Sequence, residues 1–139
     1  MYIDRKYRED IDNELSHFEI QVKDTDLSVS FLPNDGISID EVRENLFQFI
    51  YEKRRELEKL IEAVPSFQTS LRPMVFNGEI PPLALNMVSA ANRCDVGPMA
   101  AVAGAFSEIA WQYLRNYGSE IIVENGGDIV SDSQKERII

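Results

Sequence analysis

The stretch Ile121-Ile122-Val123-Glu124-Asn125-Gly126-Gly127-Asp128-Ile129-Val130 decides how the chain is read. A buried strand runs into two consecutive glycines and an aspartate, then turns apolar again. Paired glycines admit φ > 0 and let backbone N–H groups come close to a ligand. The Asp128 carboxylate beside them could hold a hydroxyl, an amide or a metal. Upstream, Gly97-Pro98-Met99-Ala100-Ala101-Val102-Ala103-Gly104-Ala105 opens a helix with almost no bulky side chains. A bare helix start next to a Gly-Gly-Asp turn suits a nucleotide. The same small residues equally allow close packing of the helix on a neighbouring element.

Composition narrows the frame around this stretch. The chain has 139 residues, enough for one domain with its own core. Apolar residues make up 44% and charged residues 27%, the proportions of an ordinary globular protein. With 24 acidic against 14 basic residues, the formal net charge is −10. That argues against nonspecific binding of nucleic acid or of an anionic membrane, both of which need a basic surface. Anionic small ligands stay open, because a helix N-terminus binds phosphate without any lysine. Cys94 is the single cysteine, so no intrachain disulfide forms and a cytoplasmic setting follows; the expected role is a packed core thiol. His17, the single histidine, falls in a strand and reads as structural or surface-facing. No apolar run approaches the roughly 20 residues that span a bilayer.

From the N-terminus, residues 1–14 are dense in both charges and read as a solvated arm. Phe18, Ile20 and Val22 alternate with polar residues, as do Leu27, Val29 and Phe31, the period of two half-buried strands. Lys23-Asp24-Thr25-Asp26 is expected as a four-residue turn, which pairs Val22 with Leu27, Ile20 with Val29 and Phe18 with Phe31. Ser38 followed by Glu41 is a capping box. It opens a helix whose apolar positions, from Ile39 to Val64, step by three and four until Pro65 ends it. The run Glu52-Lys53-Arg54-Arg55-Glu56 is expected mainly on the outer, solvated face. Residues 66–80 read as irregular, with Phe67, Leu71 and Met74 available for burial; Thr69, Ser70 and Arg72 could contact a ligand or cap neighbouring elements. Pro82 starts a second helix, and Pro98 takes the first position of a third that Gly118 stops. The tail, residues 131–139, is polar and expected to fray. The whole is one domain.

In this order the two glycine motifs resemble the uncharacterised archaeal and bacterial family related to ApbE, the FAD:protein FMN transferases. Tyr7-Arg8-Glu9 and Phe67-Gln68-Thr69-Ser70-Leu71-Arg72-Pro73 look like that family too. The resemblance implies an α+β fold, an antiparallel sheet with packed helices, of which this chain carries the N-terminal part. It implies FAD or FMN as cofactor and magnesium assisting phosphoryl transfer. Carried over by position, Asn125, Gly126, Gly127 and Asp128 become flavin contacts, with Asp128 the metal ligand. Gly97, Pro98 and Met99 line the phosphate side. Ala103-Gly104 stands where the transferases carry Lys-Gly. That leaves three functions to distinguish: a flavin-transferring or flavin-hydrolysing enzyme, a binding module for a flavin or similar nucleotide on the same fold, and a structural homo-oligomer joined through the small-residue helix and Trp111, Tyr113 and Tyr117.

Overall fold

The computed structural model describes residues 15–131. The charged arm and the polar tail therefore lie outside the described residues, apart from Ser131. Four antiparallel strands form one sheet in chain order: β1 (Ser16–Val22), β2 (Thr25–Pro33), β3 (Gly118–Asn125) and β4 (Asp128–Ser131). Among the described residues, every helix lies in the connection between β2 and β3. These are α1 (Ile39–Ala63), the single turn α2 (Ser66–Thr69), α3 (Pro82–Arg93), a 3-10 turn (Pro98–Ala101) and α4 (Val102–Leu114). The fold is α+β, as expected.

The alternating pattern of the strands works as anticipated. Phe18, Ile20, Val22, Leu27, Val29, Phe31, Ile121 and Val123 share one buried face of the sheet, and the helices cover it. Val42, Leu46, Ile50 and Leu57 of α1 and Phe106, Ile109, Ala110 and Leu114 of α4 fill the space between. Exposed His17, Glu19 and Gln21 mark the opposite face. Ser38 caps α1, its Oγ accepting from the Glu41 backbone N–H at 3.3 Å.

The first hairpin differs in register from the expectation. Its loop is the two residues Lys23 and Asp24, with Lys23 at φ 56°. Val22 faces Thr25, Ile20 faces Leu27 and Phe18 faces Val29. A slip of two leaves each side chain on its original face, so the core composition survives. The physical reason is Thr25: only 4% exposed, it sits in the core row because its hydroxyl accepts a hydrogen bond from Arg54 at 2.7 Å.

Four further expectations are corrected. Residues 66–69 form a helical turn that buries Phe67 completely, whereas Leu71 is 87% exposed. Pro98 begins a 3-10 turn, and α4 proper starts at Val102. Gly118 is the first residue of β3 rather than a helix stop; a Cβ there would lie 2.3 Å from the Leu32 carbonyl oxygen, so β2 approaches too closely for a side chain. Cys94 is an exposed residue at the end of α3, not a core thiol.

Candidate functional site

Two hollows flank the start of α4. The larger, about 400 Å³, runs between α1, the first hairpin and the β3 end. Leu57, Ile61, Met99, Val102 and Phe106 supply its apolar walls; Thr25, Arg54, Gln68 and Asn125 bring polar groups to it, and Asp24, Glu58 and Glu62 bring carboxylates.

Arg54 is the residue the charge pattern concealed. It lies four residues after Ile50 and three before Leu57, on the stripe of α1 that faces the sheet. Its side chain is only 16% exposed, so the run 52–56 is not uniformly an outer face. Nη1 donates to Thr25 Oγ1 at 2.7 Å, and Nη2 meets Asp24 Oδ1 at 2.7 Å. The guanidinium carbon stands 5.9 Å from the Phe106 ring centroid, within the range of a cation–π contact. Nε is buried and has no hydrogen-bond partner. The helical spacing that placed Ile50 and Leu57 inside was the available signal for Arg54.

Around the rim, Glu58 is paired. Lys23 bonds Glu58, and Arg55 stands 3.8 Å from the same carboxylate. The Lys23 hydrogen bond holds the Glu58 carboxyl below its ordinary value; desolvation opposes this, and the charges of Lys23, Arg55 and Arg54 add to it.

The two glycine motifs do meet. Asn125, at the end of β3 and 8% exposed, donates from Nδ2 to the Ala103 carbonyl at 3.2 Å. Asn125 and Met99 both line the larger hollow. Asp128 lines the smaller one, about 230 Å³, with Asn86, Ala101, Gly104 and Glu108. Gly126 and Gly127 line neither: they are the two-residue loop between paired Asn125 and Asp128, at φ 58° and 101°. Two successive positive φ values are what a tight hairpin turn demands. Gly97 and buried Pro98 also line neither hollow. A Cβ on Gly97 would lie 1.8 Å from the Ser70 carbonyl oxygen, so this glycine serves a backbone-to-backbone contact. The Ser70 hydroxyl bonds the Arg72 backbone and so closes a local turn.

Asp128, the expected metal ligand, stands with few other ligating groups. Among the described residues no group of three or more His, Cys, Asp or Glu converges as a metal site. Asp128 shares its hollow with one other carboxylate, Glu108. The late aromatics are engaged within the chain: Tyr113 stacks on Phe49 at 4.7 Å and meets Tyr117, and Arg115 lies over Trp111. Among the described residues no helix is long and apolar enough to cross a membrane.

Comparison with known proteins places the chain. It is 39% identical over 104 residues to a UPF0280 protein of Methanobrevibacter smithii, covering 73% of this chain and 44% of that one. A UPF0280 protein of Archaeoglobus fulgidus is 33% identical over 126 residues, 90% of this chain and 51% of the relative. Another, from Methanothermobacter thermautotrophicus, is 42% identical over 83 residues, 58% of this chain and 32% of the relative. The chain thus spans about half, or less, of the length of these curated relatives. The family described as AbpE bacteria matches residues 8–139, and by that match, which takes in both glycine motifs and the Arg54 hollow, the chain belongs to it.

Proposed function

We propose that this chain is a binding module for a flavin nucleotide, FMN or FAD, seated in the Arg54 hollow. The observation that carries this reading is a guanidinium held above an aromatic ring at the edge of a cleft with both apolar and polar walls. Small-molecule sites combine apolar walls with a few convergent polar groups in about 300–1,000 Å³, and the larger hollow has both features. Membership of a family with an ApbE-related name supports a flavin over other planar ligands.

Magnesium-assisted transfer of the nucleotide, which the resemblance implies, would need more than Asp128 and Glu108. Magnesium takes octahedral oxygen coordination, usually one or two carboxylates completed by water and substrate phosphates. Asp128 and Glu108 are two such carboxylates, but they line the smaller hollow and not the one that carries the nucleotide reading, so no step is assigned to the metal. The structural-oligomer reading is less favoured, because Tyr113 and Tyr117 pack against Phe49 of α1 and each other, and Arg115 lies over Trp111. The single cysteine supports a reducing compartment as the place of action.

Titration of the purified chain with FMN and FAD, followed by flavin fluorescence and melting temperature, tests the reading. Binding by the wild-type protein and a loss of about ten- to a hundredfold in Arg54→Gln are expected, since a hydrogen bond to a charged group contributes about 1.5–3 kcal/mol. No fluorescence change and no melting shift up to about 1 mM of either flavin would overturn it.

A further inference from the structure

We infer that Arg54 recognises a phosphate group of the ligand, and that Asp24 is an internal stand-in for that phosphate which gives way when the ligand docks. The inference rests on the reading of the hollow as a nucleotide site and names the group recognised there. Arginine binds carboxylate or phosphate best through two parallel N–H donors, and the side edge formed by Nε and Nη2 is one such fork. Here that fork is half used. Asp24 engages Nη2 at 2.7 Å, while Nε has no acceptor. Nη1 is tied to Thr25, so the guanidinium is already oriented on a largely buried side chain and loses little freedom on binding.

The two partners of Arg54 differ sharply in what holds them. Thr25 is 4% exposed within β2. The Asp24 side chain is 86% exposed on the two-residue hairpin loop. An exposed ion pair is weak and screened by salt, so a doubly charged phosphate can replace it, and the displaced Asp24 carboxylate returns to water without a desolvation penalty. Two further carboxylates line the hollow: Glu58, which is bonded to Lys23 and flanked by Arg55, and Glu62 on the next turn of α1.

The test compares FMN, riboflavin and inorganic pyrophosphate on wild-type protein, Asp24→Asn and Arg54→Gln, with dissociation constants from calorimetry. FMN should bind wild type more tightly than riboflavin, and Arg54→Gln should abolish that preference. Asp24→Asn should tighten FMN up to about fivefold by removing the competitor, with riboflavin unchanged. Because Asp24 is exposed, this variant folds even if Arg54→Gln does not. Equal affinity for FMN and riboflavin in the wild type, or weaker FMN binding by Asp24→Asn, overturns the inference while leaving flavin binding intact. Arg54-dependent binding of pyrophosphate with no binding of either flavin sustains the inference and removes the flavin. Binding of none of the three overturns both.

Discussion

Asn125 and Ala103, 22 residues apart in sequence, are joined by a 3.2 Å hydrogen bond from the asparagine Nδ2 to the alanine carbonyl. It ties the end of β3 to the first turn of α4, and so holds the two glycine motifs side by side. Asn125→Ala should lower stability by about 1 kcal/mol, the net worth of one such bond plus the cost of a cavity at a nearly buried site. The midpoint of urea unfolding reads this directly. An unchanged midpoint would show that the motifs are held together by other contacts.

Gly97 and Gly104 sit in the same motif but should respond oppositely to alanine. At Gly97 the added Cβ meets the Ser70 carbonyl oxygen at 1.8 Å, and that oxygen belongs to backbone. Gly97→Ala should therefore cost more than about 2 kcal/mol, or shift the 70–71 segment away from the 3-10 turn. At Gly104, inside α4, a Cβ meets nothing within 4 Å. Gly104→Ala should stabilise by about 0.5–1 kcal/mol, the helix-propensity gain of alanine over glycine. Melting temperatures of the pair check both signs.

At the β3–β4 turn, Gly126 and Gly127 need φ of 58° and 101°. Asparagine tolerates the first of these, so Gly126→Asn should change stability by less than about 0.5 kcal/mol. Gly127→Ala should cost about 1–2 kcal/mol, the strain of a Cβ in left-handed backbone. A Cβ at either position meets no neighbouring atom within 4 Å, so a loss of flavin affinity beyond the loss of stability would assign this turn a ligand contact.

The Lys23–Glu58 pair predicts a pH effect. The carboxyl titrates below its ordinary 4.5, first because Lys23 donates to it. A group whose pKa is lower in the folded than in the unfolded state contributes stability above the unfolded value, and that contribution is lost as pH falls through the folded one. Lys23→Met keeps the backbone demand at φ 56° but removes the donor. The wild type should melt slightly higher than this variant at about pH 6, and the difference should shrink as pH falls below 4.5. A difference that persists in acid would mean that Lys23 acts through packing alone.

Legibility in the sequence followed the range of the interaction. The period-two strands, the Ser38 cap and the 3.6-residue stripe of α1 depend on neighbours a few positions away, and all appear as read. The hairpin register did not, because a four-residue turn and a two-residue turn put the same apolar residues on the same face. What separates them is a hydroxyl, Thr25, whose burial depends on an arginine 29 residues away. The position of Arg54 among Glu52, Lys53, Arg55 and Glu56 masked it for the same reason. Mixed charge suggests solvent; the spacing from Ile50 and Leu57 singles out Arg54, and packing of α1 against the first hairpin supplies the partners that let it turn inward.

By itself the sequence determined the fold class, the limits of the principal helices within a few residues, and the family, since these rest on periodicity, capping and motif order. Tertiary structure alone decided that Gly97 serves a backbone contact, that Gly126 and Gly127 serve a turn, and that Asn125 and Met99 open onto one hollow while Asp128 opens onto another. A glycine permits many conformations and close approaches, and which one it serves is set by the atom that comes to lie beside it.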